Sequence, residues 1–543
     1  MRPIRLVTTT LALPLCLAFA ACAGDDVGTA DTEQATDGAT GTGTDSGTST
    51  GQVDVEPYPA RGLTITRVEL NQGVAIPIGL DGAEVGGAGR NAYVVPRRDT
   101  LIRVYVDVAD DWVEREIEGR LTLVQTDGTE KVISELFMIS EDTRDSGITT
   151  GPYFGVEAGD MLPGVKYKVS LWETQAGYET EPEPVPAPML PVDGSTAFVG
   201  VEDSYQSMRV VLVPVDYSYG DCEAVVDGDE VQGPFHTALL QQNPVENLEL
   251  EVHAPYKVTY DMTKYNGLNQ LVNEMSQLRA AEGAAPEVYY YGIFDNCGRC
   301  IGSGDINGGC TVGLAANITG DGKSDAWGRA AAGQLNGSAD ATFVHEIGHT
   351  QGRRHIECAG AGVQAAGTDN SYPYDGGSIH VWGFGIRDYG LRHPTANSDY
   401  MSYCSKSWCS DWQWNATYKR IKTLSSWETE GAAAPEGRGP GLLIGSVDPD
   451  GNEDWWTVPG ALAGDAERSL DHAVRFAVDG EERVEAAQIS LRPHGSTINV
   501  VVPLPEGIDL EAAQLRYDDG DEVRAIVLDP AKVLHRGDWL TAQ

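Results

Sequence analysis

The chain has 543 residues, 41% of them hydrophobic, and carries a formal charge of −43 with a pI near 4.4. So large an excess of carboxylate repels nucleic-acid phosphates and anionic lipid headgroups, and excludes both as electrostatic partners. A solvated acidic surface is the plain reason for it, and the length suffices for about three domains at roughly 150 residues each.

Residues 1–21 read as an export signal. Arg2 and Arg5 give a positive start, Leu6–Phe19 an apolar core too short for a permanent span, and Ala20-Ala21-Cys22 a small-residue cleavage site. Phe19-Ala20-Ala21-Cys22 also has the form of a lipidation box, in which Cys22 takes the lipid; simple secretion is the alternative. Residues 22–57 are rich in Gly, Thr, Ser and Asp, with no Lys or Arg between Arg5 and Arg61. Such a stretch cannot bury enough apolar area to order itself, and reads as a tether. The expected location is outside the cell, as a cell-surface or outer-membrane lipoprotein or else as a secreted protein.

Residues 58–200 read as a β-sandwich-like domain. Ile102, Val104, Val106 and Val108 alternate with Arg103, Tyr105 and Asp107, and Val165, Tyr167, Val169 and Leu171 alternate with Lys166, Lys168 and Ser170. Period-two alternation marks half-buried strands. The proline-rich stretch 181–188 reads as a stiff linker.

Residues 204–430 form the next expected domain. Met208–Pro214 and Val288–Phe294 are strand candidates, and between them Leu268, Leu271, Val272, Met275 and Leu278 recur at helical spacing. A second helix ends at Gly352, with Ser338 or Asp340 as N-cap. Asp321 and Asp325, with Asp305 and Asn307 upstream, are the best local candidates for calcium, although they complete no recognised calcium loop.

That second helix carries His345-Glu346-x-x-His349-x-x-Gly352-x-x-His355. Positions i and i+4 of a helix project from one face, so His345 and His349 can share a metal ion. Glu346 stands beside them as a base. Gly352 lets the chain leave the helix through positive φ, and His355 can then fold back as a third ligand. Three imidazoles leave one position open, as in catalytic rather than structural zinc sites.

The motif resembles that of the metzincin clan of zinc metallopeptidases. The clan also has a turn with a methionine beneath the metal, and Met401 in Ser398–Cys404 fits that place. Tyr403, two residues on, matches the tyrosine that binds metal or polarises substrate in astacin-like and serralysin-like members; Arg353-Arg354 departs from both patterns. The resemblance implies an α+β fold in which a metzincin-like catalytic domain, with twisted mixed sheet, zinc helix and Met-turn, is flanked by two β-sandwich-like domains. It implies peptide hydrolysis with one Zn2+ on His345, His349 and His355, Glu346 as general base and Tyr403 at the oxyanion.

Clan members often block the zinc with a propeptide cysteine, but no cysteine lies between Cys22 and Cys222. The segment 371–385, rich in glycine and aromatic residues, suits either a substrate cleft or plain loop packing. His380 and His393 read as bystanders, because the motif already supplies three ligands. Residues 442–543 again show strand patterns and read as a second β domain, whose role stays open. Seven cysteines lie in the central domain, at 222, 297, 300, 310, 358, 404 and 409. An exported enzyme would pair six of them and leave one over, and a Cys358–Cys404 bridge would tie two walls of the site together.

The function that follows is an exported zinc endopeptidase acting on protein or glycoprotein substrates, meeting a membrane only through its lipid anchor. The other classes are a surface adhesin or glycan-binding protein with secondary or no catalysis, and a hydrolase of non-peptide amides.

Overall fold

Branched and aromatic residues at every second position make strand the prevailing conformation of this chain. In Arg115–Val124 the residues Ile117, Gly119, Leu121 and Leu123 are buried, while Glu116, Glu118, Arg120 and Thr122 between them are partly exposed. The structure is a computed structural model that describes residues 57–302, 309–358, 367–429, 441–462, 466–478 and 480–534. The export signal, Cys22 and the tether up to residue 56 lie outside the described residues, as do Asp305 and Asn307.

Two antiparallel sheets form first. In one, Leu63–Asn71 pairs with Ala75–Leu80 and with Thr100–Val108. In the other, Arg115–Val124 lies between Glu130–Ile139 and Lys166–Glu173. Phe137 of the second sheet meets Phe154 of the first edge-on, at 5.6 Å between ring centroids.

The central sheet is built on Ser207–Tyr219, parallel to Asn247–Val252 on one side and to Tyr289–Phe294 on the other. Ala330–Gln334 continues it in parallel, and Gly313–Ala315 closes that edge antiparallel. Four α-helices accompany it: α1 (Gly228–Gln242), α2 (Tyr265–Ala281), α3 (Ala339–Thr350) and α4 (Asp411–Thr429). Ser207–Tyr219 is apolar on both faces, so both need cover. Val210 and Leu212 pack with Phe235 of α1, Phe343 and Ile347 of α3 and Trp414 of α4. Val211 and Val213 pack with Leu268, Leu271 and Met275 of α2. The C-terminal residues form one continuous path of seven antiparallel strands, from Glu453–Val458 at one edge to Val523–Ala525 at the other.

The expected α+β architecture, a metzincin-like catalytic domain between two β-sandwich-like domains, is corrected by this arrangement. Strand outweighs helix, 38% against 19%, and the protein is mainly β. The helical stretches are islands in a chain whose branched and aromatic residues favour strand even in its centre. The N-terminal sheets share a single hydrophobic core with α1, α3 and α4. Arg98 of that segment is buried and donates to the carbonyls of Leu240 and Val245 at 2.6 and 2.8 Å, and the Trp414 indole N–H donates to the Tyr93 carbonyl at 2.9 Å. At the other end the seven strands form one hydrogen-bonded sheet that curls on itself, so that Trp455 meets Tyr517 at 5.3 Å and Arg524 pairs with Glu453 at 2.7 Å. All described residues belong to one compact unit.

Candidate metal centre

α3 places His345 and His349 one turn apart, with ring centroids separated by 4.8 Å. The helix closes with the Gln351 N–H bonded to the Ile347 carbonyl at 2.9 Å, and Gly352 then turns at φ +82°. A Cβ at Gly352 would stand 2.7 Å from the Thr319 carbonyl oxygen, so glycine is required for space as well as for φ. The turn returns His355 to the helix, where its Nε2 lies 3.1 Å from Nε2 of His349.

Beneath the helix, residues 398–404 make a tight turn. The Met401 N–H donates to the Asp399 carboxylate at 2.9 Å, and the Ser402 N–H donates to the Asp399 carbonyl at 2.9 Å. Met401 is fully buried, and a Cβ on Gly348 would meet its sulfur at 2.4 Å. The glycine within the helix therefore lets the methionine sit directly under it. Cys358–Cys404 bridges the His355 segment to this turn.

A fourth histidine completes the cluster. His494 lies on the turn between the C-terminal strands Glu481–Leu491 and Ile498–Pro503, and its Nε2 is 3.1 Å from Nε2 of His349. The ligand atoms of His345, His349, His355 and His494 all lie within 4.8 Å of one another, so the four could hold a metal ion.

The surroundings fit such an ion. The Nδ1–H of His345 donates to the Tyr400 carbonyl at 2.8 Å and that of His349 to the Arg353 carbonyl at 2.7 Å, which leaves both Nε2 lone pairs pointing inward. Nε2 of His345 and Oε2 of Glu346 are buried without a hydrogen-bond partner. Imidazole nitrogens 3.1 Å apart match the edge, about 3.3 Å, of a tetrahedron with metal–nitrogen bonds of about 2.0–2.1 Å. Burial lowers the pKa of His345 and of His494 to about 3, and burial with His355 nearby lowers that of His349 well below its usual range. The rings are thus neutral at physiological pH, the form that ligates metal. Burial pushes the Glu346 carboxyl up to about 8, against the pull of His345.

Glu346 lies under this cluster with its Oε1 3.2 Å from Nε2 of His494. The Tyr403 hydroxyl is hydrogen-bonded to Nδ1 of His494, and its ring stands 5.0 Å from that of His355. Every residue singled out in the central motif is therefore brought together, along with Met401 and Tyr403. Sequence reasoning missed His494, which stands 139 positions after His355 in an unremarkable Pro-His-Gly turn; only the tertiary fold reveals it. His380 stacks on Tyr374 at 4.1 Å and His393 packs against Trp382 at 4.9 Å, both apart from the cluster.

Of the acidic candidates for calcium, the two that lie among the described residues are engaged elsewhere. Asp321 pairs with Arg420 at 2.5 Å, and Asp325 accepts from the Gly322 N–H at 3.0 Å. Cys222–Cys297 and Cys300–Cys310 join Cys358–Cys404, and Cys409 is the free, buried cysteine among the described residues. Three disulfides suggest an oxidising, extracellular environment. No helix among the described residues is long and apolar enough to cross a membrane.

No family profile and no curated protein matches the chain. Among solved structures it is similar to one described as the structure of a chaperone-substrate complex, at 12% identity and a TM-score of 0.21, over 50% of this chain and 39% of that one. It is also similar to a putative beta-galactosidase from Bacteroides fragilis, at 10% identity and a TM-score of 0.13, over 86% of this chain and 72% of that one. The chain thus spans well under half the length of the first, and neither likeness carries an argument about function.

Proposed function

We propose that this protein is an exported zinc-dependent endopeptidase that hydrolyses peptide bonds in extracellular proteins or glycoproteins. The observation that carries the reading is the convergence of the Nε2 atoms of His345, His349 and His355 beside a buried, unpartnered oxygen of Glu346. Binding alone has no use for a carboxyl with that placement. The spacing shared with metzincin zinc peptidases supports the reading at the level of the motif.

In this reading His345, His349 and His355 hold the zinc, and the Nδ1 hydrogen bonds of His345 and His349 to backbone carbonyls fix those two rings. A zinc ion held there would supply a Lewis acid that polarises the scissile carbonyl and acidifies water. Glu346, whose carboxyl a cation held beside it would keep ionised, takes a proton from the attacking water and passes it to the leaving amine. Tyr403 donates its hydroxyl proton toward the carbonyl oxygen as negative charge develops. Met401 shapes the floor and does no chemistry. The predicted lipid on Cys22 would hold the enzyme at a membrane surface.

The test is metal content by mass spectrometry together with cleavage of a denatured-protein mixture, with and without Glu346→Ala, in the wild-type chain and in His494→Asn. One zinc per chain throughout, with cleavage falling about 10²–10⁴-fold on loss of Glu346, is the expected result. A chain that binds no zinc, or cleavage indifferent to Glu346, would overturn it.

A further inference from the structure

Among the described residues His494 is the one side chain of the C-terminal sheet that joins the metal cluster, and three observations show how firmly it is held there.

The first is symmetry. The six centroid separations among the rings of His345, His349, His355 and His494 all lie between 4.5 and 5.3 Å. His494 is as close to the three motif histidines as they are to one another. Its Nδ1 is hydrogen-bonded to the Tyr403 hydroxyl, and in the tautomer that donates there its Nε2 lone pair faces the same point as theirs, 3.2 Å from Oε1 of Glu346. Tyr403 thereby does for His494 what backbone carbonyls do for His345 and His349.

The second is the anchoring of the turn. Arg492, two residues before, is fully buried. It donates from Nε to the Asn499 side chain at 2.9 Å and from Nη1 to the Asn269 side chain at 2.5 Å, and also reaches Asn273. Asn269 and Asn273 stand one turn apart on α2, so this arginine ties the turn to the central domain. Asn499 donates to the Ala316 carbonyl at 3.0 Å, beside the edge strand Gly313–Ala315. Ile444 and Trp456 of the C-terminal sheet pack in one cluster with Trp327.

The third is the backbone. His494 has φ +62°, a left-handed conformation that non-glycine residues seldom adopt. Such a conformation persists only where the surroundings impose it. The turn is shaped to aim the ring.

From these we infer that His494 is a fourth metal ligand, occupying the position that substrate and water need, so that the C-terminal sheet plugs the site and this chain is a latent form. The inference rests on the peptidase reading for what is blocked, though not for the ligation itself. Three protein ligands and an open position make a catalytic site, whereas four close it. Withdrawal of the turn from α2 would open the site and release Tyr403 from His494 in the same movement.

The test uses the full chain loaded with Co2+ as a spectroscopic stand-in for zinc, in wild type and in His494→Asn and His494→Gly. Both replacements tolerate positive φ, and thermal melting checks that each folds. The expected result is a wild-type visible spectrum unmoved by added azide, spectra of both variants shifted by it, and metal affinity at least about tenfold weaker in the variants by chelator competition. Cleavage of denatured protein should rise at least tenfold in the variants. A wild-type spectrum that responds to azide as the variants do, with affinity unchanged, would overturn the inference and leave the peptidase intact. Azide-sensitive variants that cleave nothing would uphold the fourth ligand and sink the peptidase.

Discussion

The backbone N–H of Ile356 donates to the Met401 carbonyl across 3.0 Å, so the residue after the third histidine is tied to the turn beneath the first two. Two residues on, the Cys358–Cys404 bridge closes the same seam. Replacing both cysteines with alanine opens a loop of 46 residues and is expected to lower stability by up to about 4 kcal/mol in the chain-entropy picture. Metal affinity should fall as well, because one of the two links that tie the His355 segment to the Met401 turn is lost. Thermal unfolding and chelator competition check both effects. An affinity equal to wild type would show that the disulfide does not position His355.

Gly352→Ala isolates the turn that returns His355. At φ +82° an alanine costs roughly 1–2 kcal/mol. Its Cβ would also stand 2.3 Å from the Arg420 guanidinium and 2.7 Å from the Thr319 carbonyl, and the second neighbour is backbone. A loss above about 2 kcal/mol is expected. Because the strain is relieved by unwinding the turn, bound zinc should fall too. Metal content measured on the still-folded fraction separates the two effects, and a fully loaded, folded variant would disprove the role given to this glycine.

The local half of the metal site was legible in the sequence because helix periodicity and glycine conformation are local properties. His345, Glu346, His349, Gly352 and His355 span eleven positions, and their geometry follows from one helix and one turn. Met401 and Tyr403 were legible only through a resemblance, since nothing local in residues 398–404 says what they lie beneath. His494 was not legible at all: its approach depends on Arg492 finding Asn269 and Asn273, a pairing across more than two hundred residues. The fold erred for a related reason. Strand periodicity in 58–200 shows that a face is buried and not what buries it; here α4 and α1 share the core with those sheets.

The bystander histidines give a control with a sharp expectation. His380 lies flat on Tyr374, and His393 meets the Trp382 ring; neither belongs to the cluster. Alanine at either position should leave zinc stoichiometry and affinity at wild-type values. Alanine at His345, His349 or His355 should weaken binding by at least about tenfold, since each removes a direct ligand where even outer partners contribute that much. Mass-spectrometric metal content on the five variants decides, and zinc loss in His380→Ala would require a second site.

Asp399 sets a pH dependence that belongs to the floor of the site and not to its ligands. Its carboxyl is fully buried, and burial raises its pKa to about 6, although it accepts from the Met401 N–H and from the Ser410 N–H and hydroxyl. The folded chain therefore holds this proton more tightly than the unfolded chain, where the value is near 3.8. For an acid with a raised folded pKa, the contribution to stability is complete below about pH 4 and is lost as pH rises through 6. Two pKa units amount to about 3 kcal/mol. Asp399→Asn cannot ionise, so although it sacrifices the bond from the Ser410 N–H and melts lower overall, its melting temperature should lack this component of the slope between pH 4 and 6. Thermal melts of both chains across that window test the assignment. Parallel curves would mean that some other group carries the slope, whereas a flatter variant would identify the carboxylate under the Met401 turn as the titrating residue.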